Sequence, residues 1–265
     1  MNVRIREILI LAVGLALVLG AALGGYAVVR ARADGVPGRQ VLAPVVMPTP
    51  TPSAAGGSPA PQFERWTVGI ARRPITVRRR PSDSAPVVVR LDTRTSADYP
   101  TLVLVDSIRQ VDGVTWYKVW VAVLPNETRG WVRDGALAFY TTSAKIVIDL
   151  SRRKLMVYRR GELQGTYPVA VGRPGLETPT GFFFVNQKLK PPYPGGAYGV
   201  LALGISAFQP RLPDWPGGGM VAIHGTNEDY LIGKAISHGC VRMHDKDILK
   251  VSKLVPAGSP VIIQK

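Results

Sequence analysis

Short apolar runs broken by turn residues fill the chain from Trp66 onward and most restrict the folds open to it. Residues 87–91, 101–105 and 116–121 are rich in β-branched and aromatic side chains, which favour strands. Asp112-Gly113 lies between two such runs and is typical of a tight hairpin turn. Several short strands within about 75 residues predict a small barrel.

A second β-rich unit begins near Lys145, where residues 145–150 and 154–158 form two further strand-like runs. One segment has the apolar spacing of a helix, with Asp245 as the expected N-cap and Pro256 as the stop signal. Residues 260–263 predict a closing strand. The second unit is therefore expected to be mainly β with about one helix.

An uncharged apolar segment near the start predicts a membrane helix. Residues 8–29 would form about 33 Å of helix, enough to cross a bilayer, and Arg4 and Arg6 precede them. A cleaved signal sequence is the alternative, because Ala31-Arg32-Ala33 fits a cleavage site, and a buried core helix is the third. Both export readings place the later residues outside the cytoplasm, either anchored to the cell membrane or secreted to the cell wall.

Composition divides the chain into five segments. Residues 1–7 are expected to be a cytoplasmic tail, and residues 8–29 the anchor or signal sequence. Residues 30–65 are rich in proline, alanine, glycine and serine, which predicts an extended linker rather than a packed domain. Residues 66–143 and 144–265 are expected to be the two folded units.

The single cysteine, Cys240, lies in the same stretch as all three histidines of the chain, His224, His238 and His244. One cysteine cannot form an internal disulfide, so an exported protein must either bury this thiol or use it. A thiol beside an imidazole is the arrangement of a cysteine nucleophile with its general base. The cluster therefore predicts covalent catalysis.

Two other interpretations of this cluster were weighed. Cys240 could be an inert core residue, the common fate of an isolated cysteine. A metal site is the second, because His238, Cys240 and His244 would share one face of an extended strand. Arg242 lies among these ligands, however, and the spacing typical of structural zinc is missing. We therefore expect no metal and no cofactor.

The formal charge of +15 has two readings. It favours attraction to an anionic surface such as wall polymer or lipid headgroups, or it reflects solvated arginines alone. Nucleic-acid binding is disfavoured, because the chain carries an export signal and no aromatic and basic binding motif.

The C-terminal unit resembles a known family. It contains His224-Gly225-Thr226-Asn227, then Gly233-Lys234-Ala235, then Ser237-His238-Gly239-Cys240-Val241-Arg242-Met243, with Thr178-Pro179-Thr180-Gly181 upstream. Over residues 144–264 these motifs resemble the L,D-transpeptidase (YkuD-type) catalytic domain, a β-rich fold. In the first unit, residues 75–81, 116–119 and 130–132 resemble a bacterial Src-homology-3-like domain, a small β-barrel.

The resemblance implies a peptidoglycan L,D-transpeptidase. Cys240 would attack the carbonyl of the third residue of a tetrapeptide stem and expel the terminal D-alanine, with His224 as the base. The amides of Gly239 and Cys240, helped by His238, would hold the oxyanion, and the carbonyl of Gly225 would orient His224. Arg242 would order the loop or hold a carboxylate. Catalytic roles are thus expected for Cys240, His224, His238 and Gly239, and substrate contacts for Arg242, Ser237, Gly225 and Thr226.

Carbapenem-type inhibitors are expected to acylate Cys240. Three alternatives stay open at this stage. Water as the acceptor would give an L,D-carboxypeptidase, a different cell-wall cysteine peptidase is possible, and a non-catalytic wall-binding protein is the third.

Overall fold

The computed structural model describes residues 64–193, 195–215 and 217–265. The expected cytoplasmic tail, the membrane anchor and nearly all of the linker lie outside these residues, and those expectations stay predictions. Within the described ranges, no helix is long and apolar enough to cross a membrane.

The first unit is a seven-stranded antiparallel sheet. Its strands are β1 (Trp66–Ala71), β2 (Ile75–Arg78), β3 (Val87–Leu91), β4 (Leu102–Val111), β5 (Val114–Trp120), β6 (Arg129–Arg133) and β7 (Leu137–Thr142), in the order β3-β2-β6-β5-β4-β1-β7. Asp112 and Gly113 both have positive φ and join β4 to β5, so the predicted hairpin turn is confirmed. Valines dominate the core of this sheet.

The second unit is built on an eight-stranded mixed sheet. Its elements are β8 (Ala144–Asp149), β9 (Lys154–Arg159), β10 (Glu162–Pro168), β11 (Val171–Gly172), β12 (Gly181–Leu189), β13 (Ala202–Phe208), β14 (Met220–His224), β15 (Ala235–Ser237), β16 (Val241–Arg242) and β17 (Pro260–Gln264). The order is β10-β9-β8-β17-β12-β13-β14-β16, while β11 and β15 form a separate parallel pair. The mainly β character expected of this unit is confirmed.

One α-helix, α1 (Asp245–Leu254), lies in the described part of the chain, beside a single 3₁₀ turn at Asp229–Leu231. The helix starts one residue away from the prediction, because His244 is the N-cap and Asp245 is the first helical residue. The Asp245 carboxylate accepts a hydrogen bond from the amide of Val200 instead of capping the helix, which explains the difference. The helix ends immediately before Val255 and Pro256, as expected.

The two faces of the second sheet differ in side-chain size. Alternate residues such as Leu203, Ile205 and Ile223 point into the hydrophobic core and are fully buried there. The residues between them, including Ala202 and Gly204, form the opposite face with little or no side chain. A face without bulk leaves space for a ligand, and the catalytic candidates lie on this face.

The first sheet packs on the second through a shared apolar cluster that includes Val68, Leu104 and Phe184. The Asn126 side chain fixes this junction, because its amide nitrogen donates to the carbonyl of Phe208 and its oxygen accepts from the Phe208 amide, both at 2.8 Å. The two sheets therefore belong to one compact body, within the unit that ends at Lys265.

Candidate active site

Strand pairing brings Cys240 and His224 together. Strands β14 and β16 are parallel neighbours, with Ile223 opposite Val241 and His224 opposite Arg242. One residue earlier in this register, Ala222 lies opposite Cys240, and its amide donates to Sγ at 3.4 Å. Cys240 and His224 both line one cavity of about 230 Å³. The sequence predicted that the strands carrying His224 and Cys240, sixteen positions apart, would be neighbours, and this is confirmed. The chemical roles of the two residues stay predictions.

The Cys240 thiol forms no disulfide, and it ionises less readily than an ordinary cysteine thiol. Burial raises its pKa, because a thiolate loses the solvation of water. The amide of Ala222 and the positive charge of Arg242 act in the opposite direction and offset part of this effect. The site thus holds a neutral thiol together with two groups that stabilise a thiolate.

His224 is a buried neutral base. Its Nδ1 lies 2.6 Å from the carbonyl oxygen of Gly225, and a carbonyl only accepts, so Nδ1 carries the proton. Nε2 is then the lone-pair nitrogen available as a base. Burial lowers the pKa of His224 to about 4, with a smaller lowering from Arg242, against the opposing effect of the Gly225 carbonyl. The orienting position expected for Gly225 is therefore present.

Two predicted substrate contacts have internal partners instead. Ser237 is 1% exposed, and its hydroxyl donates to the carbonyl of Cys240 at 2.6 Å. Thr226 is 3% exposed, and its hydroxyl accepts from the amide of Glu228 at 3.1 Å. Each hydroxyl stabilises a turn beside the cavity. Ser237 also lines the cavity, and the substrate contacts expected of both residues stay predictions.

The Gly239 amide also has a partner, since it donates to the Ser237 hydroxyl at 3.1 Å. In this conformation it is not free to hold an oxyanion, which corrects that part of the sequence-based expectation. Glycine is needed at this position for another reason: its φ is +120°, and a Cβ would lie 3.2 Å from the side-chain nitrogen Nε2 of Gln209.

Arg242 is held by an ion pair with Glu228, in which Nη1 and Oε2 are 2.6 Å apart. The loop-ordering role expected of this arginine is present, because the ion pair joins it to the loop after His224. Arg242 also lines the cavity, and its contact with a substrate carboxylate stays a prediction. Its buried Nε has no hydrogen-bond partner. His244 lies outside the cavity and pairs with Asp229 at 2.7 Å.

Aromatic side chains that the sequence reasoning did not single out border the cavity. Trp215 stacks on His238 with the ring centroids 5.3 Å apart, and Tyr198 contacts the His224 ring at 4.8 Å. Both come from the loops that flank β13, far from the Cys240 motif in sequence. The glycines at 217, 218 and 219, all with positive φ, were the available signal for a special loop there.

The arrangement does not resemble a metal centre. Among residues 64–193, 195–215 and 217–265, no three histidine, cysteine or acidic side chains converge as metal ligands. His238 stacks on Trp215 and His244 pairs with Asp229, so both imidazoles of the possible ligand set have other partners.

Comparisons with known proteins agree with these motifs. The family model of the YkuD L,D-transpeptidase catalytic domain matches residues 143–263. The YkuD protein of Bacillus licheniformis is 40% identical over 124 residues, covering 46% of this chain and 67% of that protein. The YkuD protein of Bacillus subtilis is 34% identical over 126 residues, covering 48% and 69%.

Among solved structures, L,D-transpeptidase 3 from Mycobacterium tuberculosis in complex with a faropenem-derived adduct aligns with a TM-score of 0.44. The identity is 18%, and the alignment covers 75% of this chain and 93% of that one.

Proposed function

Because the chain belongs to the L,D-transpeptidase family, we propose that it crosslinks peptidoglycan through a thioester on Cys240, with tetrapeptide stems as acyl donors. The observation that carries this proposal is that partly buried Cys240 and buried His224 line one cavity, with the Nε2 of His224 left as the base. A cysteine nucleophile beside a neutral imidazole is suited to acyl transfer.

In the first step, His224 Nε2 takes the thiol proton while Sγ attacks the carbonyl carbon of the third stem residue. The carbon–nitrogen bond to the terminal D-alanine breaks, and His224 returns the proton to the departing amine. The Cys240 amide is the donor suggested for the oxyanion, because the Gly239 amide is engaged with Ser237.

In the second step, an amine from a neighbouring stem attacks the thioester. His224 accepts a proton from that amine, the new amide bond forms, and the cysteine thiol is regenerated. Water in place of the amine would release a tripeptide, which is the carboxypeptidase alternative. Because burial lowers the pKa of His224, its imidazole is deprotonated at neutral pH and Nε2 has a free lone pair in both steps.

The decisive experiment incubates the full-length protein in detergent with a disaccharide tetrapeptide. We expect D-alanine release and a crosslinked dimer, both detected by mass spectrometry, and neither product with the Cys240→Ala variant. Tripeptide without dimer would instead identify a carboxypeptidase. Absence of D-alanine release from folded, reduced wild-type protein would reject the acyl-transfer proposal, and retained wall binding by that protein would favour the non-catalytic alternative.

We further propose that the enzyme acts outside the cytoplasm, anchored by residues 8–29 or released by cleavage after them. The support is the uncharged segment itself, with Arg4 and Arg6 before it. Fractionation of the producing cells, with the intact mass of the exported protein, separates the two forms. Recovery of the folded units in the cytoplasm would refute both.

The first sheet is proposed to be a bacterial Src-homology-3-like domain that contacts the cell wall. Its seven short strands and the sequence motifs in residues 75–81, 116–119 and 130–132 support this assignment. Pull-down on purified peptidoglycan sacculi tests wall binding, using the Cys240→Ala protein so that acylation does not contribute. If the protein stays in the soluble fraction to the same extent with and without sacculi, the proposed wall binding is wrong.

A further inference from the structure

The sheet face that carries Cys240 continues as a groove toward β12. In one row across four strands, Gln187 pairs with Gly204, Gly204 pairs with Ala222, and Ala222 lies opposite Cys240. Three strand spacings separate the ends of this row, or about 14 Å. Glycine and alanine in the middle leave the floor of the groove low.

This groove is a second cavity, of about 300 Å³, adjoining the one that holds Cys240. Tyr198 and Met220 line both cavities and stand between them. Leu189, Pro191 and, from the first unit, Ala97 also line the second cavity. A ligand reaching Cys240 could therefore extend along the sheet under these residues.

A β-bulge places one amide side chain in the groove and a second beside it, since Gln187 lines this cavity and Asn186 lines the neighbouring one against the first unit. The pairing of β12 with β13 shifts between Val185 and Gln187, so Asn186 is the extra residue. Asn186 and Gln187 both lie over Gly204, where a Cβ would come within 3.0 Å of Asn186 Oδ1 and 2.7 Å of Gln187 Cγ. A bulge that turns two neighbouring side chains to one face is a device for placing polar groups.

Both amides have an oxygen without a hydrogen-bond partner. Asn186 and Gln187 are 4% and 7% exposed, and their nitrogens lie 3.7 and 3.4 Å from the sulfur of Met220. A thioether has no hydrogen to donate, so the nitrogens face it and the oxygens stay unpaired. Buried Gln209, by contrast, uses both ends of its amide. Unpaired buried acceptors are rare and point to a missing donor.

We propose that Asn186 and Gln187 accept N–H groups from an extended peptide segment of the substrate lying in this groove. The inference rests on the proposed function and names the residues that would bind the stem beyond the reacting carbonyl. A row of about 14 Å accommodates about four extended residues, the length of a stem tetrapeptide. The Met220 thioether lies against the two amide nitrogens, and it moves aside when the peptide enters so that both amides can turn toward the peptide. Its unbranched side chain has three rotatable bonds, which permits this movement.

The test measures binding and reaction separately. In a Cys240→Ala background, Gln187→Met and Asn186→Leu should each weaken equilibrium binding of a tetrapeptide by about 5- to 10-fold, the loss of one hydrogen bond. Gln164→Met, on the exposed strand β10, is the matched control and should leave binding unchanged.

In the cysteine-containing protein, the same variants should retain acylation by a carbapenem, which is too small to span the groove. If acylation by the tetrapeptide falls while acylation by the carbapenem does not, the groove binds the donor stem. Normal tetrapeptide acylation with less dimer and more hydrolysis assigns it to the acceptor stem. Both results support the proposal.

Two results would overturn it: unchanged tetrapeptide affinity in both variants, or an equal fall in peptide binding, carbapenem acylation and thermal stability. The second pattern would mean that the amides only support the fold. A wild-type protein that fails to acylate would reject the proposed function. The groove proposal would still be tested, because peptide binding is measured in a protein that lacks the thiol.

Discussion

Glu228 holds Arg242 at the edge of the cavity, with the carboxylate oxygen 2.6 Å from the guanidinium nitrogen. Arg242 acts electrostatically on both reactive groups, since its charge lowers the pKa of the Cys240 thiol and of the His224 imidazole. Glu228 therefore neutralises a charge that would otherwise favour the thiolate more strongly. The loop after His224 thus tunes the nucleophile without touching it.

Replacing Glu228 by Gln should make the thiol easier to ionise. Removal of the negative charge leaves Arg242 uncompensated, and an uncompensated positive charge stabilises the thiolate. The pH profile of Cys240 alkylation by iodoacetamide should shift to lower pH. Asp229→Asn is the matched control, because Asp229 pairs with His244 and not with Arg242. A shift to higher pH in Glu228→Gln would contradict this assignment.

The buried neutral state of His224 should make the protein sensitive to acid. Its pKa falls from 6.5 in the unfolded chain to about 4 in the fold, so the unfolded state binds more protons between these values. Stability from this group is complete above pH 6.5 and is lost as the pH falls toward 4. A shift of this size corresponds to about 3 kcal/mol.

Urea denaturation of wild-type protein and His224→Gln at pH 7 and pH 4.5 measures this contribution. The variant should lose less stability on acidification than the wild type. His244→Gln should retain the wild-type loss, since His244 is a partly exposed side chain outside the cavity. Equal acid sensitivity of the wild type and His224→Gln would show that other groups are responsible.

Adding a methyl group at Gly225 should displace the base. A Cβ there would collide with Asp245 Oδ1 and lie 3.2 Å from the Cα of Gly199. Either the Asp245 side chain or the Gly225 backbone must move, and a backbone movement displaces the carbonyl that orients His224. Gly225→Ala should lower stability by about 1–3 kcal/mol and Cys240 acylation by at least tenfold.

The double variant Gly225→Ala/Asp245→Ala provides the rescue test, because it removes the colliding carboxylate. Part of the acylation rate should return, measured against Asp245→Ala alone. No recovery would show that the close approach of the Gly199 backbone, and not the Asp245 carboxylate, excludes a side chain at Gly225.

A carbapenem should add one mass equivalent to the full-length protein, with the adduct on Cys240. Peptide mapping after acid quench locates it, and Cys240→Ala should show no increase in mass. The neutral resting thiol predicts that the acylation rate rises with pH, as the thiolate fraction grows. An adduct on a lysine, or none on folded and reduced protein, would contradict the proposed nucleophile.

Local sequence patterns predicted much of this molecule. The Asp112-Gly113 turn depends on two residues, and the approach of the His224 and Cys240 segments follows from two short strands that pair side by side. Such features are encoded by neighbours in the chain. The exact start of α1 could not be predicted in this way. The Asp245 carboxylate accepts a hydrogen bond from the amide of Val200, 45 positions earlier, and does not cap the helix.

The remaining features depend on long-range packing. Trp215 and Tyr198 reach the cavity only because loops on either side of β13 fold over the same face. Ser237 looked like a substrate ligand from its motif, but its hydroxyl is taken by the Cys240 carbonyl within a turn that the sequence alone does not define. The bulge at Asn186 likewise arises from a pairing shift between two strands.

The reciprocal hydrogen bonds between Asn126 and Phe208 have a thermodynamic consequence. Phe182 and Phe184 of the second sheet pack against the first, so separating the units would expose aromatic surface and break both bonds. Interfaces of this kind couple neighbouring units, whereas polar, weakly packed ones leave them independent. The two sheets should consequently melt in a single transition, and a chain cut between them should yield a catalytic unit that melts earlier than its parent.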